Sequence, residues 1–540
     1  MTLNIFCAPQ PVLGRSRLVI EQASAALRAG DSIDAEWMLR KHLLEQPGDG
    51  QALAMLAEIA IDQRRLEEAT VLLRRAAGVD PSPGRRLALI RHLQAYGGAA
   101  IALAEIEALP GPIRKAFDIR AFEAALLGIL GNHDRQIALH EALTTEYPRD
   151  PALWISLGNA LKTVGRTDDA VAAVRQAIDA KPTFGEAYWT LANFKSFRFT
   201  DRDVAAMRKA LRGKLDDIDR LHFDFALGKA FEDREDFARS FQHYAAGNRG
   251  RSTGMKPEQM RVSGFIDHAI ATFSRELFDR HTGAGCKARG PIFVIGLQRS
   301  GSTLIEQILS CHPMIEGTNE LLVMQQIWDR LARMAAISGR NPFGDIAQWE
   351  SAAFDDIGAE YLERTRAFRL TDRPLFVDKL PANWLNVGLI RLALPNAKII
   401  DARRHPMACG FSNFKQHYAT GVSFAYSLEA IGHFYRDYLR FMTHVDRVQP
   451  GSVHRTINEQ LIEDPGGEIR RLLDYLGIPF DPSCLNFHRN KRAVPTPSAE
   501  QVRRPINRDG VDHWRRYQRW LEPLERSLGP ALVEWDQQMA

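Results

Sequence analysis

Four residue pairs in the first half of the chain recur at one spacing. Pro47 and Pro81 lie 34 residues apart, as do Ala35 and Ala69, Gly131 and Gly165, and Pro148 and Pro182. A period of that length holds one helical hairpin, which cannot bury its own apolar face and must stack on copies of itself. The clearest unit, Pro151–Pro182, puts Trp154, Leu157, Gly158, Ala160 and Leu161 on one predicted helix. It turns at Gly165 and carries Ala170, Val174, Ala177 and Ile178 on a second. Gly158, Ala160 and Ala170 are small enough for the paired helices to approach closely, while Trp154 and Leu157 fill the gap to a neighbour. Proline closes each pair because it cannot continue a helix. From Pro83 to Pro112 the pattern drifts out of phase, which predicts a shortened unit. It returns at Ala187–Leu211, and again at Phe223–Tyr244 with Leu227, Gly228, Ala230 and Ala238. The expectation is an α-helical solenoid over residues 1–248, whose concave face suits a protein or peptide partner or, failing that, stiffens the chain. Residues 249–289 read as a connector, with Gly250, Gly254, Gly283 and Gly285 around one predicted helix, Pro257–Asp279.

The second half is organised around Pro291–Pro313. Pro291 to Ile295 is a short β-branched run that predicts a buried strand. Gly296 to Ser302 is a polar loop, and Leu304, Ile305, Ile308 and Leu309 then follow at helix spacing. Strand, glycine loop and helix together make a place for a phosphate, because free backbone N–H groups and the helix dipole both favour an anion. Gly296 and Gly301 stand where a nucleotide-binding P-loop has its glycines, but Ser302-Thr303 stands where that motif has Lys then Ser or Thr. The loop Lys and Mg²⁺ neutralise a nucleoside triphosphate. Their pattern is missing here, which argues against an NTPase or kinase and for a less charged group. The bland alternative is a turn between a core strand and a core helix.

Further strands are predicted at Leu375–Val377, Ala397–Ala402 and Ser452–Ile457, separated by a helical stretch from Leu321 to Phe368 and a helix at Trp384–Leu394. Strands alternating with helices predict a parallel sheet covered on both faces. Ligands of such sheets bind beyond the carboxyl ends of the strands, where Arg299, Lys379, Arg403 and Arg404 all fall. Charge excludes little: 70 basic against 66 acidic residues imply no nucleic-acid partner. Nine Lys and Arg between Arg489 and Arg519, interleaved with Trp514, Tyr517 and Trp520, read as an anion-binding lid and a solvated helix face rather than a nucleic-acid surface. Cys7, Cys286, Cys311, Cys409 and Cys484 form no CxxC pair, so neither a zinc site nor a disulfide framework is expected. With no signal-peptide pattern and no apolar run near the roughly 20 residues of a membrane helix, the expectation is a soluble, cytoplasmic protein.

Two resemblances sharpen this. The 34-residue units resemble the tetratricopeptide repeat. Residues from about 290 to 525, in a domain expected over 290–540, resemble the sulfotransferase family that uses 3′-phosphoadenosine-5′-phosphosulfate (PAPS), and within it the tyrosylprotein-sulfotransferase-like branch often joined to such repeats in bacteria. The family's first motif matches Gln298-Arg299-Ser300-Gly301-Ser302-Thr303-Leu304 and His312-Pro313, with Gln298 for the usual Pro. The resemblance implies that this loop grips the 5′-phosphosulfate. The second motif matches Arg404-His405-Pro406 and Ser412, implied to hold the 3′-phosphate, with His405 replacing an acidic residue. Glu320, seven residues after Pro313, matches the base of the tyrosyl-type enzymes; its plain alternative is an acidic residue at a helix N-terminus. Histidine is the base in other branches, which brings in His312, His405 and His433. Lys379 matches a Lys that contacts the leaving oxygens, work shared by Arg299. Thr496-Pro497-Ser498 through Pro505 matches a segment closing over the donor. Ser498 lies near the phosphosulfate, and His513 stands fifteen residues on where a Lys or Arg is expected. Asn458 replaces a family Tyr.

The resemblance thus implies a PAPS-dependent, metal-free transfer of a sulfuryl group to a hydroxyl. Protein tyrosine, carbohydrate and small molecules are open as acceptors, and the repeats would recruit a polypeptide. The rival is a repeat scaffold with an inactive transferase domain, which His513 and Asn458 keep open.

Overall fold

The computed structural model describes residues 12–28, 31–63, 65–95, 98–256, 260–418, 422–490, 492–496 and 498–539. Cys7, Pro257 and Pro497 lie outside them. The chain separates into two compact units, Met1–Gln136 and Ile137–Ala540.

The first unit is helical. Ser32–Glu45, Gly50–Asp62 and Leu66–Val79 carry the period predicted from Ala35 to Pro81. Asp49 caps the second of these by accepting from the N–H groups of Gln51 and Ala52, both at 3.0 Å. Its core is alanine-rich: Ala35, Ala52, Ala57, Ala60 and Ala69 are fully buried. The out-of-phase segment forms the helices Pro83–Ala95, Ala99–Glu107 and the single turn Gly111–Arg114.

The second unit opens with more helical pairs. Pro151–Val164 and Thr167–Ala180 join at Gly165, whose φ of +87° lets it end the first helix in the left-handed region. A Cβ on Gly158 would stand 2.6 Å from a Val174 methyl, so the small residue here sets how closely the pair packs. Gly185–Ala192 with Asp201–Arg212, and Asp217–Glu232 with Phe237–Ser252, follow.

Beyond them lies a five-stranded sheet: β1 Pro291–Gly296, β2 Ile315–Gly317, β3 Leu375–Asp378, β4 Lys398–Arg403 and β5 Val453–Ile457. The order is β2-β3-β1-β4-β5, and every pairing is parallel, with Val294 opposite Ile400 and Ile292 opposite Val377. All six residues of β1 are buried, as its continuous apolar run requires of a central strand covered on both faces.

Three local expectations change. β2 was not anticipated, because three residues carry no readable alternation. The connector is two helices, Ser263–Thr272 and Arg275–Arg280, because Ser274 Oγ accepts from Leu277 N at 3.3 Å and starts a new helix. The helix expected at Trp384–Leu394 begins as a 3₁₀ turn, Pro381–Asn386, and becomes α-helical only over Val387–Ala393.

Repeat helices and sheet domain pack together within this second unit. Asn248 Nδ2 donates to Phe414 O at 2.8 Å, and Lys415 pairs with Glu232 at 2.9 Å. Trp189, His222 and Phe225 surround His417, with ring centroids 5.0–5.4 Å from it. Burial pushes the His417 pKa down to about 3, so it packs as a neutral ring. No described helix is long and apolar enough to cross a membrane.

Candidate active site

The loop after β1 bends through three residues in the left-handed region: Gly296 (φ +132°), Arg299 (φ +69°) and Gly301 (φ +102°). Gly301 is the N-cap of Ser302–Leu309, and a Cβ on it would stand 2.7 Å from Asn458 Oδ1. Both conformation and space therefore demand glycine. Arg299 has no such freedom; a non-glycine residue held there costs on the order of 1–3 kcal/mol and persists only where its surroundings fix it. Its Nε donates to Ser412 Oγ at 3.1 Å, its Nη1 to Ser498 Oγ at 3.0 Å, and its carbonyl accepts from Arg404 Nη1 at 3.2 Å. From beneath, Asn413 Nδ2 donates to Gln298 O at 2.8 Å. Among the described residues no partner faces the buried Oγ of Ser300, Oε1 of Gln298 or Nε of Arg404. Buried polar atoms left unpaired are costly, and here they surround a loop shaped for an anion.

Lys379 and Arg404 stand just past the carboxyl ends of β3 and β4. The Lys379 side chain is 1% exposed, and its ammonium lies 2.5 Å from a carboxylate oxygen of Glu320, whose side chain is 47% exposed. The turn presenting Glu320 is fixed by a pair that leaves no mark in the sequence. Asn319 (φ +65°) donates its N–H to buried Glu306 at 3.0 Å, and its carbonyl accepts from Lys379 N at 3.0 Å. Glu306 is ion-paired with Arg492, which also donates to Asn319 Oδ1 at 3.1 Å. Next to Lys379, Asp378 is wholly buried and accepts from Tyr361 OH at 2.8 Å; burial pushes its pKa up to about 7.

These groups border two adjoining cavities. The larger, about 760 Å³, is lined by Arg299, Gly301, Ser302, Thr303, Leu304, Glu320, Arg404, Asn458 and Ser498. Around Glu320 its wall turns apolar, with Leu322, Leu380, Leu385, Tyr418 and Val422. The smaller, about 440 Å³, is reached past Arg299 and Arg404 and holds Ser412 and His513. The residues implied for the two ends of the donor thus fall around neighbouring spaces that share three arginines, Arg299, Arg404 and Arg504. Lys379 lines neither cavity and meets the larger through Glu320; Ser300, buried in the loop, lines neither.

Other candidates are placed elsewhere. Arg403 shares a face of β4 with Asp401 and pairs with it at 2.8 Å beneath Tyr438, inside the domain. His312 holds Pro479 O through Nε2 at 3.0 Å and accepts from Met314 N at Nδ1, which occupies both ring nitrogens. His405 accepts from Met407 N and stacks on Trp514; burial pushes its pKa down to about 4. Neither it nor His433 lines either cavity. His513 Nε2 lies 3.4 Å from Glu232, a repeat-helix carboxylate that also takes Lys415 and the hydroxyls of Tyr244 and Tyr517. Burial opposes ionisation of Glu232, but Lys415 and His513 outweigh it and hold its pKa well below the usual value. Glu232 carried no sequence signal, since its partners come from distant segments. No group of three or more His, Cys, Asp or Glu among the described residues could hold a metal ion.

Comparison with known proteins agrees with this layout. Residues 291–482 match the model described as "Sulfotransferase family", and residues 151–184 match "Tetratricopeptide repeat". An uncharacterised protein of Aquifex aeolicus (strain VF5) is 29% identical over 385 residues, covering 70% of this chain and 50% of its own length. The chain therefore spans about half the length of that relative. A "Putative protein-tyrosine sulfotransferase" of Caenorhabditis briggsae is 24% identical over 233 residues, covering 41% of this chain and 80% of its own. Among solved structures, the sulfotransferase domain from the Synechococcus PCC 7002 olefin synthase is similar over 43% of this chain and 89% of its own, at 23% identity and a TM-score of 0.32. One model falls on a helical pair and the other begins at β1 and runs past β5, so the helical pair is similar to the tetratricopeptide repeat and the sheet domain to the sulfotransferase family.

Proposed function

We propose that the protein transfers a sulfuryl group from PAPS to the hydroxyl of a protein tyrosine. The observation that carries this is the meeting of an anion-shaped loop, two arginines that form no ion pair among the described residues and a Glu–Lys pair around adjoining cavities. Among the described residues Arg299 and Arg404 hydrogen-bond only to hydroxyls and carbonyls, so an anionic ligand would bring the missing counter-charge. The larger cavity is within the usual range of roughly 300–1,000 Å³ for small-molecule sites. In this assignment Arg299, Ser300, Gly301, Ser302, Thr303, Leu304 and Ser498 hold the 5′-phosphosulfate, and Arg404, Ser412 and His513 the 3′-phosphate.

In the reaction the acceptor oxygen attacks sulfur from the side opposite the bridging oxygen. The new S–O bond forms as the bond from sulfur to that oxygen breaks, and the acceptor proton passes to Glu320. Negative charge develops on the departing phosphate, where Arg299 and Lys379 lower its energy. For Lys379 this means exchanging Glu320 for the leaving oxygen, which frees the carboxylate to take the proton. A sulfuryl group carries less charge than a phosphoryl group, so two cations and backbone amides serve without Mg²⁺.

Tyrosine as acceptor is supported by the apolar wall beside Glu320, which fits an aromatic ring, and by the name of the Caenorhabditis relative. The repeats suit recruitment of the polypeptide that carries it. The test is transfer of ³⁵S from labelled PAPS to tyrosine-containing peptides. Labelling of tyrosine that disappears in Glu320→Ala supports the proposal; labelling of sugars or small phenols alone would overturn the acceptor, and no labelling of any hydroxyl compound would overturn the transfer.

A further inference from the structure

The smaller cavity has an uneven charge balance. Lys229, Lys415 and Arg516 on its wall each face a carboxylate: Asp233 at 2.5 Å, Glu232 at 2.9 Å and Glu235 at 3.2 Å. Lys195 and Arg504, also on that wall, have no side-chain hydrogen bond or ion pair with any described residue. With Arg299 and Arg404 they make four cations without an ion pair among the described residues, gathered from four separate parts of the chain; Glu232 attracts Lys195 and Glu459 attracts Arg404 without pairing. Like charges brought together out of water repel strongly, and that cost is relieved by an anion between them.

Lys195 differs from the others in its origin. It sits in the turn after the repeat helix Gly185–Ala192, outside the sheet domain. The turn is not loose. The N–H and hydroxyl of the adjoining Ser196 both donate to Glu500 Oε2, at 3.0 and 2.9 Å, and Phe194 on the other side is fully buried. Glu500 belongs to the segment that carries Ser498, so the turn and the donor-closing segment are held together. Burial and the charges of Arg299, Lys415 and Lys229 push the Lys195 pKa down to about 7.

We propose that Lys195 is a donor-binding residue, which reaches the 3′-phosphate from the repeat side so that the repeats complete the nucleotide site. This rests on the PAPS reading above. It also assigns the repeats a part in holding the donor, besides any part in choosing the acceptor.

The test is calorimetric titration of the full chain with adenosine 3′,5′-bisphosphate and with adenosine 5′-phosphosulfate, which has the 5′ end of PAPS but no 3′-phosphate. Lys195→Met is expected to weaken the bisphosphate by about tenfold, the effect of one hydrogen bond to a charged group. It should change the 5′-phosphosulfate by less than about twofold, since that ligand never fills the small cavity. Lys195→Arg keeps the charge and should restore most of the bisphosphate affinity. Unchanged bisphosphate binding in Lys195→Met, or equal loss for both ligands, would overturn the inference while leaving the donor reading standing. Failure of the wild type to bind the bisphosphate would remove the donor reading, and the inference with it.

Discussion

Glu320 and Lys379 should respond to substitution in opposite ways where stability is concerned. Their ion pair is lopsided, with an ammonium 1% exposed and a carboxylate 47% exposed. Removing one partner of a fully buried pair costs about 3–5 kcal/mol, because the other charge is stranded; an exposed pair is worth about 0.2–1 kcal/mol. In Glu320→Gln the stranded group is the buried ammonium, but the lost attraction was partly screened by water. The expected cost is therefore intermediate, about 1–3 kcal/mol. In Lys379→Met the buried charge itself is gone, a chain of similar length fills its space, and Glu320 is left facing solvent. Asp378, whose pKa burial already raises to about 7, then has still less reason to ionise. Stability should stay within about 1 kcal/mol of wild type or rise. Sulfuryl transfer should fall in both, by about 10²–10³ for Lys379→Met as one stabilising donor is lost from the transition state. Urea unfolding followed by tryptophan fluorescence, beside transfer of ³⁵S from PAPS, reads both effects. A Lys379→Met protein destabilised by more than about 3 kcal/mol would mean that the pair is a structural strut, and an active one would refute the leaving-group role.

Two further outcomes follow from local geometry. Gly301→Ala combines a φ of +102° with a Cβ 2.7 Å from Asn458 Oδ1, so it should cost more than about 1 kcal/mol and abolish bisphosphate binding by reshaping the loop; normal affinity in this variant would show that the loop does not hold the ligand. Asp378 sets a pH dependence. Its pKa is higher folded than unfolded, so the folded state holds the extra proton between the usual carboxylate value of 3.8 and about 7. The stabilisation is complete below the lower value and lost as pH rises through the higher one. Across that window wild type should lose up to about 1.4 kcal/mol per pH unit relative to Asp378→Asn, and parallel stability curves for the two proteins would count against it.

What could be read from the sequence was whatever the backbone itself dictates. Gly296 and Gly301 are needed where φ is positive, the apolar run at Pro291–Ile295 is needed where a strand is buried on both faces, and the spacing of small residues at Gly158 and Ala170 is needed where helices touch. Each is a local requirement that leaves a local mark. Arg403 could have been set apart from Arg404 by the same logic, since it stands two residues from Asp401 along β4 and so shares its face. Neither the Glu306–Arg492 pair that fixes the turn before Glu320 nor the placing of Lys195 on the same cavity wall as Arg404 was legible. Those contacts join segments far apart in the chain, and a lone Lys in a turn looks like any solvated Lys. His513 read as a weakened phosphate ligand; the missing information was Glu232, brought to it from a repeat helix.

The central claim is that the two cavities bind a nucleotide carrying phosphates at both ends, and thermal unfolding with adenosine 3′,5′-bisphosphate, beside ATP with Mg²⁺, tests it most directly. At 100 times its dissociation constant a ligand adds about 2.7 kcal/mol to stability, which is readily seen in a melt. The account predicts stabilisation by the bisphosphate in wild type and its loss in Arg404→Ala. Stabilisation by ATP with Mg²⁺ alone, or by neither nucleotide, would contradict it.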